Sequence, residues 1–250
     1  MTLNANDNLK QEKILALRRE ACAFFGLTEP ELLARVTHPH EAIQAEWDTK
    51  RAKTTEQFYQ DSAATVWSWL QWAECEWVYG WPQAIAAMVR ELGCESVLDY
   101  GCGVGEVGLY LTETCSDLES LWFADIWTSA TRFLCERIKN RQEAGLIPTQ
   151  TTGKVQPLDM LWESDQSFDA ILCLEVIEHI PDAPDVLRKL LRRCRKGFCI
   201  TGATGRPAND PDPLHVYKPS LLPVLDAEGW KLLSGGGMPW WFVRKEKRND

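Results

Sequence analysis

The 250-residue sequence changes character near residue 95, and the pattern after that point constrains the fold more than any other feature. Short apolar runs at 96–100, 119–124, 154–157, 168–174 and 197–202 alternate with amphipathic stretches at 105–114, 128–143, 183–195 and 218–228. Period-2 or continuous apolar runs followed by period-3.6 stretches read as repeated β-α units. The expected product is a doubly wound α/β domain with a mostly parallel sheet covered by helices on both faces. Two final strands, near 230–234 and 239–245, are joined only by Ser234-Gly235-Gly236-Gly237. That link is too short for a crossover helix, so the last two of the seven strands should pair antiparallel.

Everything before residue 95 reads as helix. Ile14, Leu17, Ala21, Phe24 and Phe25 share one face of a helix over 9–25, with Gly26 as its C-cap. Thr28, Pro30 and Glu31 open a second helix. A third is expected over 41–53, a fourth over 56–79, and a fifth over 83–92 after a break at Trp81-Pro82. The expected division is therefore a helical cap, 1–94, and a sheet domain, 95–250.

An apolar content of 45% suffices for a sizeable core. Residues 1–13 lack the basic start and apolar run of a secretory signal, and no stretch approaches 18 uninterrupted apolar residues, so a soluble, cytoplasmic protein is expected. The nine cysteines are odd in number and contain no CxxC pair, which argues against a disulfide framework or a zinc ribbon. A net charge of −9 disfavours nucleic acid as a partner. The expected partner is a small molecule, neither nucleic acid nor membrane, and both monomer and homodimer stay open.

The first strand runs into Asp99-Tyr100-Gly101-Cys102-Gly103-Val104-Gly105. Glycine at such a turn lets the backbone bend tightly and lets a ligand approach without a Cβ in the way. Gly103, Gly105 and Gly108 also satisfy the dinucleotide pattern GxGxxG, but from Gly101 the sixth position is Glu106, an acid where a pyrophosphate needs uncharged backbone. Asp125 ends the second strand, where a carboxylate can accept hydrogen bonds from both ribose hydroxyls. Asp159 and Met160 follow the third strand, a place for adenine.

These motifs resemble the class I S-adenosylmethionine-dependent methyltransferases, through VLDYGCGVGEVGLYL, the strand-terminal Asp125, PLDML and SFDAILCLEVIEHIPDAPDVLRKLLRRCRKGFCIT. The resemblance implies a Rossmann-like sheet and S-adenosylmethionine as cofactor. It carries over to Asp99 and Gly101 near the methionine end, Gly103 for close approach, Asp125 on the ribose and Met160 beside the adenine. Ile126, Asp159 and Leu174 complete the expected cofactor set.

For the chemistry, Glu175, Glu178 and His179 follow the fourth strand and His215 follows the fifth. His179 is the first candidate for a general base or substrate contact, with Glu175 and His215 as further catalytic candidates; the histidine of such an EVIEH segment can equally anchor its loop. No metal is expected. An alternative stays open, because Glu175, Glu178, His179 and His215 are similar to the two-glutamate, two-histidine magnesium set of small-RNA 2′-O-methyltransferases. A non-catalytic cofactor-binding interaction protein is a further alternative. The basic run from Arg188 to Lys196 is read as the exposed face and last turn of a sheet-covering helix, where cations complement the dipole.

Half of the twelve tryptophans fall between residues 47 and 81. On the fourth helix Trp69, Trp72, Ala73 and Glu76 share one face, while Trp67, Leu70, Glu74 and Trp77 share another. Aromatic faces carrying a carboxylate suit an amine or aromatic nitrogen compound, although core packing between cap and sheet accounts for most of the six tryptophans. Tyr59, Trp67, Trp72, Glu76, Trp240 and Trp241 are the acceptor-binding candidates. The expected activity is methyl transfer to nitrogen or oxygen of a small, partly aromatic metabolite.

Overall fold

The computed structural model describes residues 5–50, 54–147, 153–207, 209, 214–234 and 239–244. Among these, seven strands form one sheet in the order β3-β2-β1-β4-β5-β7-β6: β1 Ser96–Tyr100, β2 Ser120–Asp125, β3 Gly153–Pro157, β4 Phe168–Cys173, β5 Cys194–Ile200, β6 Trp230–Ser234 and β7 Trp240–Arg244. The pairs among β1 to β5 are parallel, whereas β7 is antiparallel to both β5 and β6. The expected doubly wound sheet with an antiparallel last strand is what forms. Every residue of β1 and β4 is buried, because a parallel strand with helices on both faces has no solvent side.

Ahead of the sheet come α1 Ala5–Phe25, α2 Glu29–Thr37, α3 Pro39–Lys50, α4 Thr55–Asp61, α5 Thr65–Tyr79 and α6 Trp81–Glu91. The helix expected over 56–79 is two helices. Ser62 breaks it: its Oγ donates to the Glu46 carboxylate at 2.7 Å and accepts the N–H groups of Ala64 and Thr65 at 3.2 Å, a local bond set that outcompetes helix continuation. The next break lies at Gly80, with φ +75°, so α6 starts at Trp81 and holds Pro82 in its first turn, where a missing N–H costs nothing.

Within the sheet region the helices are α7 Glu106–Thr114, α8 Ser129–Glu143, α9 Leu158–Glu163, α10 Ala183–Arg193 and α11 Leu222–Ala227, with one 3-10 turn over Ile177–His179. The short α9 after β3 was not expected from the sequence. The helix expected over 218–228 spans only Leu222–Ala227: Pro219 restricts Lys218 before it, and Pro223 sits in the first turn of α11, where its missing N–H costs nothing.

The core has a layer on each face of the sheet. Leu109, Leu111, Phe123 and Leu134 pack with Ile85 and Val89 of α6 on one side, and Leu98, Ile171, Leu187, Leu190 and Phe198 on the other. Full burial of each such side chain contributes about 1.5–3 kcal/mol. A third cluster joins Leu17 and Ala21 of α1, Leu32 of α2 and Leu70 of α5 to Phe133 of α8. The helix expected over 183–195 ends at Arg193, so the basic run is split between α10 and the start of β5, and packing accounts for it. Arg188 pairs with Asp185 and Arg193 donates to the Leu161 carbonyl on α10, while Arg195 and Lys196 on β5 pair with Asp169.

Candidate functional site

A cavity of about 640 Å³ opens at the carboxyl ends of β1, β2 and β4, under α3, α4 and α5. Open α/β sheets place ligands there because the loops leaving neighbouring strands diverge. One wall is the strand ends. Asp99 and Asp125 are both buried, and both carboxyls are pushed up, to about 7 and about 6. Burial is the main cause in each case, and the charge of Asp125 adds to the effect on Asp99. Asp125 holds the glycine loop by accepting from Gly103 N–H at 2.6 Å, and also accepts from Ile126 N–H at 2.7 Å. Gly101, Gly103 and Gly105 have φ of +72°, +53° and +74°. A Cβ on Gly101 would sit 2.2 Å from Val176, so only glycine closes this turn. Two buried carboxylates with no ion-pair partner among the described residues, beside a glycine loop that lines the cavity, fit a ligand that bears positive charge and hydroxyl donors, as S-adenosylmethionine does.

Leu158, Trp162 and Ile126 line the adjoining part of the cavity. Met160, expected beside an adenine, is 50% exposed and not part of this wall, because α9 turns it outward. The side chain of Asp159 lies outside the described residues. Trp162 of the same helix lines the cavity instead, with the Arg193 guanidinium 5.4 Å from its ring centroid; only the unforeseen α9 puts it there.

After β4 the chain passes Leu174 and Glu175, both cavity-lining. Glu175 has φ +51°, the one non-glycine residue among those described with a left-handed backbone, and its N–H donates to Thr201 Oγ1 at 2.5 Å. Its carboxyl is raised by burial and by the charge of Glu178. Arg206, which the sequence did not single out, lies between the two acids, donating to Glu175 at 2.9 Å and also to Glu178. Nothing in the sequence near Arg206 pairs it with an acid 28 or 31 positions earlier; only the loop after β5 brings them together.

His179 also lines the cavity. Its Nδ1 lies 3.0 Å from the Leu214 carbonyl and 3.2 Å from the Tyr59 hydroxyl. A carbonyl only accepts, so in the neutral ring Nδ1 carries the proton and Nε2 is the basic nitrogen. The His215 ring is 4.9 Å away, and Glu178, His179 and His215 offer ligand atoms within 4.8 Å of one another. His40, in the first turn of α3, lies on the cavity wall as well.

The opposite wall is α5. Trp69, Trp72, Ala73 and Glu76 all line the cavity, the face that helical spacing groups together. Tyr59 of α4 stacks on Trp69 with centroids 5.6 Å apart and planes 21° apart. Glu76 has no ion-pair partner among the described residues, and its carboxyl is raised well above the ordinary range by burial, then by Asp99, Glu106 and Glu175. The second face of α5 is structural: Glu74 forms a two-pronged pair with Arg18 and Trp77 donates to Glu106 at 2.7 Å. Trp67 is packed against Phe25 and under Arg35, outside the cavity. Trp240 and Trp241 belong to the two core layers, since β7 lies inside the sheet, and neither reaches the cavity.

Glu106, the acid that made a pyrophosphate unattractive, is buried and ion-paired with Arg137. Arg137 also donates to Glu20 of α1 and to the Val104 carbonyl of the glycine loop at 2.5 Å. One buried guanidinium thus ties α1, α7 and α8 to the loop, while Trp77 adds α5.

Comparison with known proteins agrees with this geometry. Residues 41–216 match a family model described as a methyltransferase domain. The class so defined is that of the S-adenosylmethionine-dependent methyltransferases of class I, and this chain belongs to it. Among curated proteins it is similar to the ubiquinone biosynthesis O-methyltransferase of Xanthomonas oryzae, 31% identical over 109 residues that span 43% of this chain and 41% of the relative. Among solved structures it resembles an O-methyltransferase family protein from Burkholderia thailandensis, with TM-score 0.56 and 13% identity over 91% of this chain and 88% of that one. It also resembles human N-acetylserotonin methyltransferase, with TM-score 0.56 and 11% identity over 89% of this chain and 68% of that one. At these identities the structures share the fold. No helix among the described residues is long and apolar enough to cross a membrane.

Proposed function

We propose that the protein methylates a nitrogen or oxygen of a small, partly aromatic metabolite, with α3 to α5 forming a cap that selects it. The observation that carries this reading is the cavity wall of Tyr59, Trp69 and Trp72 with the unpaired carboxyl of Glu76 among them, facing His179 across the strand ends. When bound, S-adenosylmethionine supplies a methyl group on a sulfonium. Asp125 receives the ribose hydroxyls, and Asp99 with the backbone of Gly101 and Gly103 faces the amino-acid end. The aromatic wall stacks the acceptor and excludes water, which aligns the nucleophile for an in-line displacement. Glu76 accepts a hydrogen bond from the N–H of a neutral amine, leaving the nitrogen lone pair free to attack the methyl group. The product ammonium loses its proton to solvent on release, and cation-π contact with the tryptophans favours the charge that develops on nitrogen. For a hydroxyl acceptor, Nε2 of His179 takes the proton while the Leu214 carbonyl keeps the ring oriented.

Calorimetric titration with S-adenosylhomocysteine, followed by methyl transfer to a panel of aromatic amines and phenols, tests the reading; failure to bind the cofactor product refutes it. His179→Ala is expected to lower kcat roughly 100-fold for a hydroxyl acceptor and only a few-fold for an amine. A second reading, cation-assisted transfer to an RNA ribose hydroxyl, is favoured by the convergence of Glu178, His179 and His215. Against it, Arg206 already pairs with both Glu178 and Glu175, and the chain carries net charge −9. Full turnover in excess EDTA would remove it.

A further inference from the structure

A second cleft, of about 530 Å³, adjoins the first and shares Trp72, Glu175 and Arg206 with it. Its remaining walls are Tyr79 and Trp81, at the junction of α5 and α6, and the backbone-rich segment 202–205. Tyr79 and Trp81 have ring centroids 5.9 Å apart at 33°, and Tyr79 leaves 63% of its surface in solvent. A large aromatic ring held open at a cleft mouth is costly to leave wet and ready to stack. Gly202 and Gly205 keep the floor flat: their φ values are +71° and +84°, and a Cβ on Gly205 would lie 2.5 Å from the Lys218 carbonyl.

Arg206 supplies the polar feature. While its terminal nitrogen holds Glu175 and Glu178, its Nε is buried with no hydrogen-bond partner among the described residues. A buried donor left unmet costs about 1–3 kcal/mol, so the site favours a ligand oxygen at that point. The oxygen must be neutral, because two carboxylates already outnumber the single guanidinium and repel a further anion.

We propose that this outer cleft is a second acceptor subsite, taking a neutral planar ring system that carries a carbonyl or ether oxygen. The rings lie among Trp72, Tyr79 and Trp81, the oxygen accepts from Arg206 Nε–H, and the nucleophilic end of the same molecule reaches past Glu175 into the inner cavity. The acceptor is therefore elongated, with a methylated end and an unmodified aromatic end. This rests on the reading above of the inner cavity as a methyl-transfer site.

The test uses the full chain saturated with S-adenosylhomocysteine, and coumarin as the probe: a neutral bicyclic ring with one carbonyl. Saturable coumarin binding is expected by saturation-transfer NMR, weakened roughly 10-fold in Tyr79→Ala. Naphthalene, which lacks the oxygen, should bind roughly 5-fold or more weakly than coumarin. Arg206→Lys, which keeps the charge facing Glu175 and Glu178 but removes Nε–H, should abolish that preference. Tyr79 is exposed, so Tyr79→Ala should still fold and bind S-adenosylhomocysteine. Absence of saturable coumarin binding, or binding untouched by Tyr79→Ala, overturns the subsite. Wild-type protein that fails to bind S-adenosylhomocysteine would instead refute the methyl-transfer reading itself.

Discussion

The two walls of the inner cavity hold their functional groups by different means. At the strand ends, Asp99 is the penultimate residue of β1 and Asp125 the last of β2, so their positions follow from sheet register, and the Gly103 N–H is held by Asp125. On the facing wall, Trp69, Trp72 and Glu76 ride on a helix preceded by the Ser62 break, and Arg206 comes from a loop after β5. The first wall is rigid and general to the fold. The second is assembled from α5 and the loop after β5, and on the proposed reading variation there should change the acceptor without disturbing the sheet. Arg137 and Trp77 join the two, since both bond Glu106 at the start of α7.

Cutting that joint should have the largest effect. Arg137→Met leaves Glu106 and Glu20 facing each other without the guanidinium, and a loss of about 3–5 kcal/mol in urea-unfolding stability is expected. Burial raises the Glu106 carboxyl, but Arg137 and Arg141 more than offset it, leaving it below its ordinary value of 4.5. A carboxyl depressed in the folded state adds stability above 4.5 that is lost as pH falls through the depressed value. In Arg137→Met this acid sensitivity should shrink or invert; an unchanged profile would show that the network does not couple the walls.

Next comes Asp125→Ala, which removes the strand-end acid and the partner of Gly103 N–H. Calorimetry should show S-adenosylhomocysteine binding weakened on the order of 100-fold, since two charge-assisted hydrogen bonds disappear. Glu76→Gln strikes the other wall. It should raise the KM of an amine acceptor roughly 10-fold with kcat less affected, and change cofactor affinity little. Equal losses on both measures would mean that the two walls are not separable.

The smallest effect is on pH. Asp99 and Asp125, raised to about 7 and about 6, must be charged to attract a cationic ligand. Protons are released on binding, so S-adenosylmethionine affinity should fall as pH drops through 7 and then 6, by a few-fold up to roughly 10-fold per unit. S-adenosylhomocysteine, without the sulfonium charge, should show the shallower slope.

Much of this architecture could be read in advance. Strand and helix periods placed the sheet, and the glycine loop with Asp99 and Asp125 marked the ligand end, because these are local patterns whose meaning does not depend on distant partners. Helical spacing also sorted α5 into the face of Trp69, Trp72 and Glu76 and the face of Trp67, Leu70 and Trp77. Where reading failed, a tertiary competitor decided. The Ser62 break needed Glu46 from another helix, and Met160 was turned outward by an α9 that six residues of sequence do not announce. Trp240 and Trp241 were drawn into the core by β7 lying between β5 and β6.

By itself the sequence determined the layered, mostly parallel sheet, its antiparallel last strand and the acids at the strand ends, since periodicity, the short final link and chain direction settle those; the strand order came from the structure. Only the tertiary structure decided which charges meet. Arg206 with Glu175 and Glu178, Arg137 with Glu20 and Glu106, and the approach of Asp99, Glu106 and Glu175 to Glu76 are products of segments far apart in the chain. Burial makes those meetings consequential, because a charge removed from water is governed by the few groups that touch it.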